Sequence, residues 1–336
     1  MNIYNDYLEN IKSAMALGKR GTNLSGVPNG LNENLGKGKS SKVLDSVVSG
    51  KRLLPSLETF ANELGLTANF EQQLGLHPDF AHLKSSNNIE SHYIVSMFID
   101  IKGSTNLFKK YNPETVFVIT NTIQKAAIHT CLIFGGYIHR LQGDGLFVYF
   151  GGKNITKQTA IERALQSSSV FTYFVQNDLK NVFTEQGVEN IFTRIGIDLG
   201  YDRDVIWAMA GIGDISEVTT CSLHTSLAAK MQGYAVSNGI VIGDNIKKEM
   251  SKWQEFFAAV SLRTKNENDR YIFKIPEEGF LYTQYDFNWI SFLKRQEFIA
   301  TDISGNLNLK RKFTRTIPLA SENIKSIASI SKPYDI

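Results

Sequence analysis

Cysteine is nearly absent: Cys131 and Cys221 are the only two in 336 residues. Two thiols cannot build a disulfide framework or a cysteine-rich zinc site, and they suit a reducing compartment. Charge of one sign is also lacking. The net charge is only +3, and no long run of Lys or Arg occurs, so a broad basic face for nucleic acid is not expected. No stretch approaches the roughly 18 continuous apolar residues of a membrane span. The opening "MNIYNDYLEN" lacks the apolar core of a signal peptide. These absences predict a soluble, cytoplasmic chain with no direct membrane insertion and no nucleic-acid partner. What is present is apolar: 42% of residues, enough for a substantial core.

Texture divides the chain. Residues 1–52 include "GKRGTNLSGVPNGLNENLGKGKSSK", a composition that buries little and reads as a flexible N-terminal segment. Residues 53–92 read as a short helical extension. From Tyr93 the pattern sharpens. "YIVSMFID" is a strand apolar on both faces and therefore central in its sheet. "NPETVFVITNTIQKAAIHTC" is a helix capped by Asn112, with Pro113 first and Val116, Ile119, Ile123, Ala127 and Cys131 on one face. "GGYIHRLQGDGLFVYFGG" is a hairpin turning at "QGDG". A second helix covers about 156–180. Two strands then meet near Tyr201–Arg203, a third helix spans "SLHTSLAAKMQGYA", and the strand "GIVIG" follows. The order β-α-β-β-α-β predicts an α+β, ferredoxin-like antiparallel sheet with helices on one face, over residues 93–276. Residues 277–336 form a C-terminal extension expected to pack on the domain.

In that fold Asp100, ending the first strand, and Asp144, in the hairpin turn, stand at one edge of the sheet. Two hard oxygen ligands suit magnesium, and a pair of ions suits phosphoryl transfer. The turn after Asp100 adds backbone N–H groups for phosphate oxygens: Gly103 permits close approach, and Ser104 and Thr105 are placed to cap the next helix. The plain alternative is a turn cap at Asp100 and an ordinary Asp-Gly hairpin at Asp144. Either motif alone fits it; the two together, in this order, do not fit it well.

Four motifs in order resemble the class III nucleotide cyclases, the adenylyl and guanylyl cyclase family. "FIDIKGST" and "RLQGDGLFVYF" resemble its two metal motifs. "RIGIDLG" resembles its "Arg-Ile-Gly-Ile-His-x-Gly" strand, and "TTCSLHTSLAAKM" its following helix. The resemblance implies that Asp100, Asp144 and the carbonyl of Ile101 hold two Mg²⁺ or Mn²⁺ ions. By position, Arg140 and Thr219 would read the base, Ser226 and Lys230 would replace the usual transition-state asparagine and arginine, and Arg270 would bind phosphate. The implied reaction turns a nucleoside triphosphate into a 3′,5′-cyclic monophosphate and pyrophosphate, in a homodimer whose sites draw on both subunits.

An arginine where adenylyl cyclases carry a lysine leaves less room for a purine and presents a flat fork of donors. Cytosine offers acceptors at O2 and N3 beside an amino donor, and uracil offers O2 and O4 around an N–H. Arg140 with Thr219 suits either, with a slight lean to CTP. The layout looks like the pyrimidine cyclases of bacterial Pycsar anti-phage systems, whose products activate a separate effector. An adenylate cyclase and a catalytically silent nucleotide-binding regulator are the alternatives. A diguanylate cyclase is not, because "QGDGLF" lacks its hairpin signature. His139, next to Arg140, is expected on the opposite side of its strand.

Overall fold

The computed structural model describes residues 2–18, 55–66, 68–69 and 72–310. The Gly- and Asn-rich stretch, from 19 to 52, and the end of the chain beyond 310 lie outside these residues. Helix α1 (Asn5–Leu17) opens the chain. It is not part of a free segment: Tyr7, Ile11, Ala14 and Met15 are buried in the main core. Helix α2 (Pro55–Glu63) follows, then a 3-10 turn (Pro78–Leu83) and strand β1 (Ile89–Ser91).

Strand β2 (Ile94–Lys102) leads through a short 3-10 turn into helix α3 (Pro113–Ile133). The Asn112 side chain accepts from the Thr115 N–H at 2.8 Å, as its position before Pro113 predicts. This helix is long and apolar enough to cross a membrane, but 67% of its most apolar window is buried inside the fold. Strands β3 (Gly136–Gln142) and β4 (Gly145–Phe150) form the expected hairpin. Helix α4 (Lys157–Tyr173) continues through a π-helical turn to Glu185. Strand β5 (Phe192–Gly200) completes the βαββαβ unit.

Spatial order in this unit is β5-β2-β4-β3, the fourth, first, third and second strands, which is the ferredoxin-like arrangement. Val95, Met97, Ile99 and Ile101 of β2 join the core under α3 and α4. The even-numbered residues of β2, Asp100 among them, face the other side, because strand side chains alternate.

Strands β6 (Val205–Ile212) and β7 (Ile215–Ser222) leave the main sheet and pair with each other and with β1. Strands β5 and β6 are thus consecutive but belong to different sheets. Helix α5 (Leu223–Tyr234) crosses the face opposite α3 and α4, so helices occupy both faces, not one. Gly196 permits this: a Cβ there would collide with the carbonyl of Ala228 and the N–H of Gln232.

Strand β8 (Gly239–Gly243) runs parallel to β5. After helix α6 (Asp244–Glu249), β9 (Phe257–Ala259), β10 (Tyr271–Ile275) and β11 (Phe280–Phe287) extend the sheet to eight strands. The sheet therefore continues past Pro276. Helix α7 (Trp289–Lys294) packs Phe292 and Leu293 into the core, and a small hairpin, β12 (Ile299–Thr301) with β13 (Leu307–Leu309), ends the described chain.

Candidate active site

Strands β2 and β4 stop pairing at Ile99 and Leu146. The last residues of β2 then run past the hairpin turn, whose Gly143 has a positive φ of 60°. A Cβ on Gly145 would lie 3.5 Å from the Cα of Asp100, so the backbone next to Asp144 abuts Asp100. Both aspartates are partly exposed at this edge, and Ile101 follows directly on β2. The donors there are two carboxylates and a backbone carbonyl, hard oxygen ligands that fit Mg²⁺ or Mn²⁺ and leave positions for water and phosphate. Among the described residues no group of three or more His, Cys, Asp or Glu stands together as a fuller metal cage.

Asp100 already holds a cation of the chain's own. The Arg194 guanidinium, opposite it on β5, donates from Nη2 at 2.5 Å and from Nε at 3.1 Å to Asp100 Oδ2. The amide of Gln232, on α5, donates to the same oxygen at 3.2 Å. Neither Arg194 nor Gln232 was legible as a site residue. Arg194 sits in the "RIGIDLG" strand and shares the face of Asp100 by cross-strand register, a relation that needs the pairing to be known. The turn after Asp100 departs from expectation. It enters a 3-10 helix (Ser104–Lys109) whose N-cap is Gly103, φ 93°, with no side-chain cap bond. Ser104 and Thr105 therefore do not cap, and the first long helix starts only at Pro113.

A second cluster forms where β3 meets β7. Strand β3 bulges here: Ile138 pairs with Val148 and Arg140 with Phe147, leaving His139 as the extra residue. A bulge re-aims side chains, and it turns both His139 and Arg140 toward β7. His139 is thus not on the far side of its strand, as simple alternation predicts. Its Nε2 lies 3.1 Å from the hydroxyl of Thr219 and 3.8 Å from the carboxylate of Glu217. Burial, with the charge of Arg140 adding to it, pushes the imidazole pKa down to about 3, so the ring is neutral near pH 7. Arg140 grips Glu217 at two points, with Nε donating to Oε2 at 2.7 Å and Nη2 paired to Oε1.

A strap locks the cluster. Gly75 donates to the carbonyl of His139 at 3.0 Å and accepts from the N–H of Val218 at 2.7 Å, joining β3 to β7. Gly75 has a φ of 69°, and a Cβ there would stand 2.7 Å from the Glu217 Cβ. Only glycine meets both conditions.

The remaining expected residues lie apart. Ser226, exposed on α5, donates to the carbonyl of Ser222 at 3.3 Å. Lys230, one turn on, sits 6.0 Å from the ring of Phe273. Gln232, not Lys230, is the α5 residue that reaches Asp100 of the same chain. Arg270 pairs with Glu267 at 3.0 Å beside β10. A cavity of about 560 Å³ opens over His224 at the N-terminal end of α5, and none of the expected residues lines it.

Comparison with known proteins gives this geometry a context. No family model matches the chain. A cytidylate cyclase of Staphylococcus aureus is 40% identical over 227 residues, 67% of this chain and 53% of that protein. One of Escherichia coli is 33% identical over 225 residues, 65% of this chain and 48% of that protein. Over the matched residues this chain is similar to cytidylate cyclases. This chain spans about half the length of the cytidylate cyclases it matches. Among solved structures, the adenylyl cyclase CyaB of Pseudomonas aeruginosa gives a TM-score of 0.47 at 18% identity, covering 60% of this chain and 95% of that one. A bacterial light-regulated adenylyl cyclase gives 0.46 at 16%, covering 64% and 58%.

Proposed function

We propose that this chain is a pyrimidine nucleotide cyclase, converting CTP, or UTP, to the 3′,5′-cyclic monophosphate and pyrophosphate. The observation that carries this reading is that the backbone beside Asp144 lies against Asp100 at the open end of β2, in a chain 40% identical over its matched residues to a cytidylate cyclase. The ribose 3′-oxygen attacks the α-phosphorus, the bond from that phosphorus to the bridging oxygen breaks, pyrophosphate leaves and the hydroxyl proton passes to solvent. Such chemistry is mainly positioning and charge stabilisation. A divalent cation, when bound, supplies a lowered 3′-hydroxyl pKa and neutralises phosphate charge.

Asp100, Asp144 and the carbonyl of Ile101 are the residues that would hold two such ions. Arg194, released from Asp100 once a cation is there, is placed to face the triphosphate, and Gln232 keeps the Asp100 side chain oriented. The N–H groups of Gly103, Ser104 and Thr105 border the same edge. Arg140 and Thr219 read the base, Ser226 and Lys230 serve the transition state, and Arg270 meets phosphate. Ser226 and Lys230 face away from Asp100 of their own chain. A two-fold homodimer in which each chain completes the other's site answers that geometry. The product would act as a second messenger for a separate anti-phage effector in the cytoplasm.

Incubating the purified chain with each of the four nucleoside triphosphates and Mg²⁺ or Mn²⁺ tests the reading. Cyclic CMP or cyclic UMP with pyrophosphate is expected, and cyclic AMP as the main product overturns the pyrimidine assignment. A silent nucleotide-binding regulator is the second reading, favoured by Ser226 and Lys230 where the family carries asparagine and arginine. It predicts binding without pyrophosphate release.

A further inference from the structure

We propose that Glu217 is the residue that distinguishes cytosine from uracil. The inference rests on the reading above in one respect, that Arg140 meets the base.

Glu217 and Thr219 alternate with buried Val218 and so share one face of β7. The Glu217 side chain is 20% exposed and that of Arg140 48%, so the pair is anchored but open on one side. Arg140 uses Nε and one Nη2 hydrogen on Glu217, which leaves both Nη1 hydrogens and the second on Nη2 free to donate. A carboxylate has about four lone-pair directions, so Arg140 leaves Glu217 with capacity to accept again, on a side chain that is 20% exposed.

The pair therefore presents donor, donor, acceptor. Cytosine presents the complement: acceptors at O2 and N3, then the N4 amino donor. Uracil presents an acceptor, a donor at N3 and an acceptor at O4. Against this pair it sets N–H against N–H and the O4 lone pairs against a carboxylate. A carboxylate accepting from the cytosine amino group is an established mode of base reading, whereas one facing O4 is repelled.

The surroundings hold Glu217 to this task. Gly75 packs against its β-carbon and ties its strand to that of Arg140. The neutral ring of His139, 3.8 Å away, stands behind it without adding a competing full charge. The Thr219 hydroxyl, 3.1 Å from Nε2 of that ring, lies on the same face of β7 as Glu217.

The test is binding of the non-cleavable α,β-methylene analogues of CTP and UTP to the full chain with Mg²⁺, for wild type and Glu217→Gln. Wild type should favour the cytidine analogue by roughly 10-fold or more. Glu217→Gln should bring the two within about 3-fold, chiefly by gaining uridine affinity, because an amide N–H donates to O4 where a carboxylate cannot. Equal binding by wild type, or an unchanged ratio in the variant, overturns the assignment. A merely structural role would weaken both analogues alike. Should Glu217→Gln not fold, Glu217→Asp draws the carboxylate back by one methylene. It should lose cytidine binding without gaining uridine binding, and an unchanged cytidine affinity there also overturns the proposal. Because the probes cannot be cyclised, the result stands apart from turnover. A chain that makes no cyclic product from any nucleotide ends the cyclase reading, while the binding ratio still decides Glu217.

Discussion

On the proposed function Asp100 would carry two duties that its surroundings separate. As a partner of Arg194 it is a half-exposed ion pair, worth about 1 kcal/mol at most; as a cation ligand it would decide turnover. Asp100→Ala and Asp144→Ala should each cut cyclase turnover at least ~100-fold while moving the unfolding free energy by no more than about 1 kcal/mol. Stopped-time assays beside urea melts check both halves. Arg140→Ala should relax base selection more than it raises the metal requirement, and unchanged selectivity would remove Arg140 from the base site. Three buried histidines add a pH signature. Burial lowers His77 and His129 to about 4 and His139 to about 3. Between these values and the unfolded pKa near 6.5 the unfolded chain binds more protons, so stability falls with falling pH. Each contributes on the order of 1.4 kcal/mol per pH unit across that window. Asp198, raised by burial, works in the opposite sense at the acid end. Melting temperatures should therefore drop from pH 7 to pH 5, with a shallower slope in His139→Gln. The two aspartates and Arg140 stand out as candidates in the sequence because their motifs are local. Glu217 does not: a glutamate alternating along a strand reads as a solvated face until its partner on β3 is known. The reading of His139 failed on a bulge, which inserts one residue and inverts the parity on which alternation depends.

Among elements, α5 matters most to the site, because it reaches Asp100 near one end and is tied into the core at the other. Near its C-terminal end Gln232 touches Asp100. At its start His224 donates from Nδ1 to buried Asp198 at 2.9 Å, and Asp198 also accepts from Tyr282 at 2.8 Å. That network ties α5 to β5 and β11. Removing one partner strands a buried polar group, so Asp198→Ala should cost about 3 to 5 kcal/mol, measured by denaturant unfolding. Gly196→Ala should act more narrowly. The added methyl would press on the Ala228 carbonyl and Gln232 N–H, lifting α5 from β5. A loss of about 1 to 3 kcal/mol is expected, together with a rise in the metal concentration needed for activity. A wild-type metal dependence in a destabilised Gly196→Ala would show that α5 does not set Asp100. The helices were readable from their caps and apolar faces. The side on which α5 packs was not, since a helix with buried residues on a narrow stripe fits either face, and only the bare backbone of Gly196 decides it. Likewise, nothing in the texture of β5 and β6 shows that they part into different sheets.

At the scale of the molecule, the outward face of α5 leaves Ser226 and Lys230 without access to Asp100. If two chains complete each other, specific activity should fall on dilution in step with the dimer fraction seen by sedimentation, and an Asp100→Ala chain mixed with a Lys230→Ala chain should recover up to about one quarter to one half of wild-type activity per dimer. Full activity in a preparation that sediments only as monomer contradicts this. The segment before β2 also changes what the large sheet can do. β3 is the last strand on its side. The Gln72 amide donates to the Gly136 carbonyl at 3.2 Å and accepts from the Ile138 N–H at 3.0 Å, and Gly75 takes the His139 carbonyl. A border strand left bare is a template for stacking onto a neighbour. Here a single side-chain amide and one glycine impersonate the missing strand, so copies of the chain have no seam to zip along at this rim, and whatever association they undergo must use another surface.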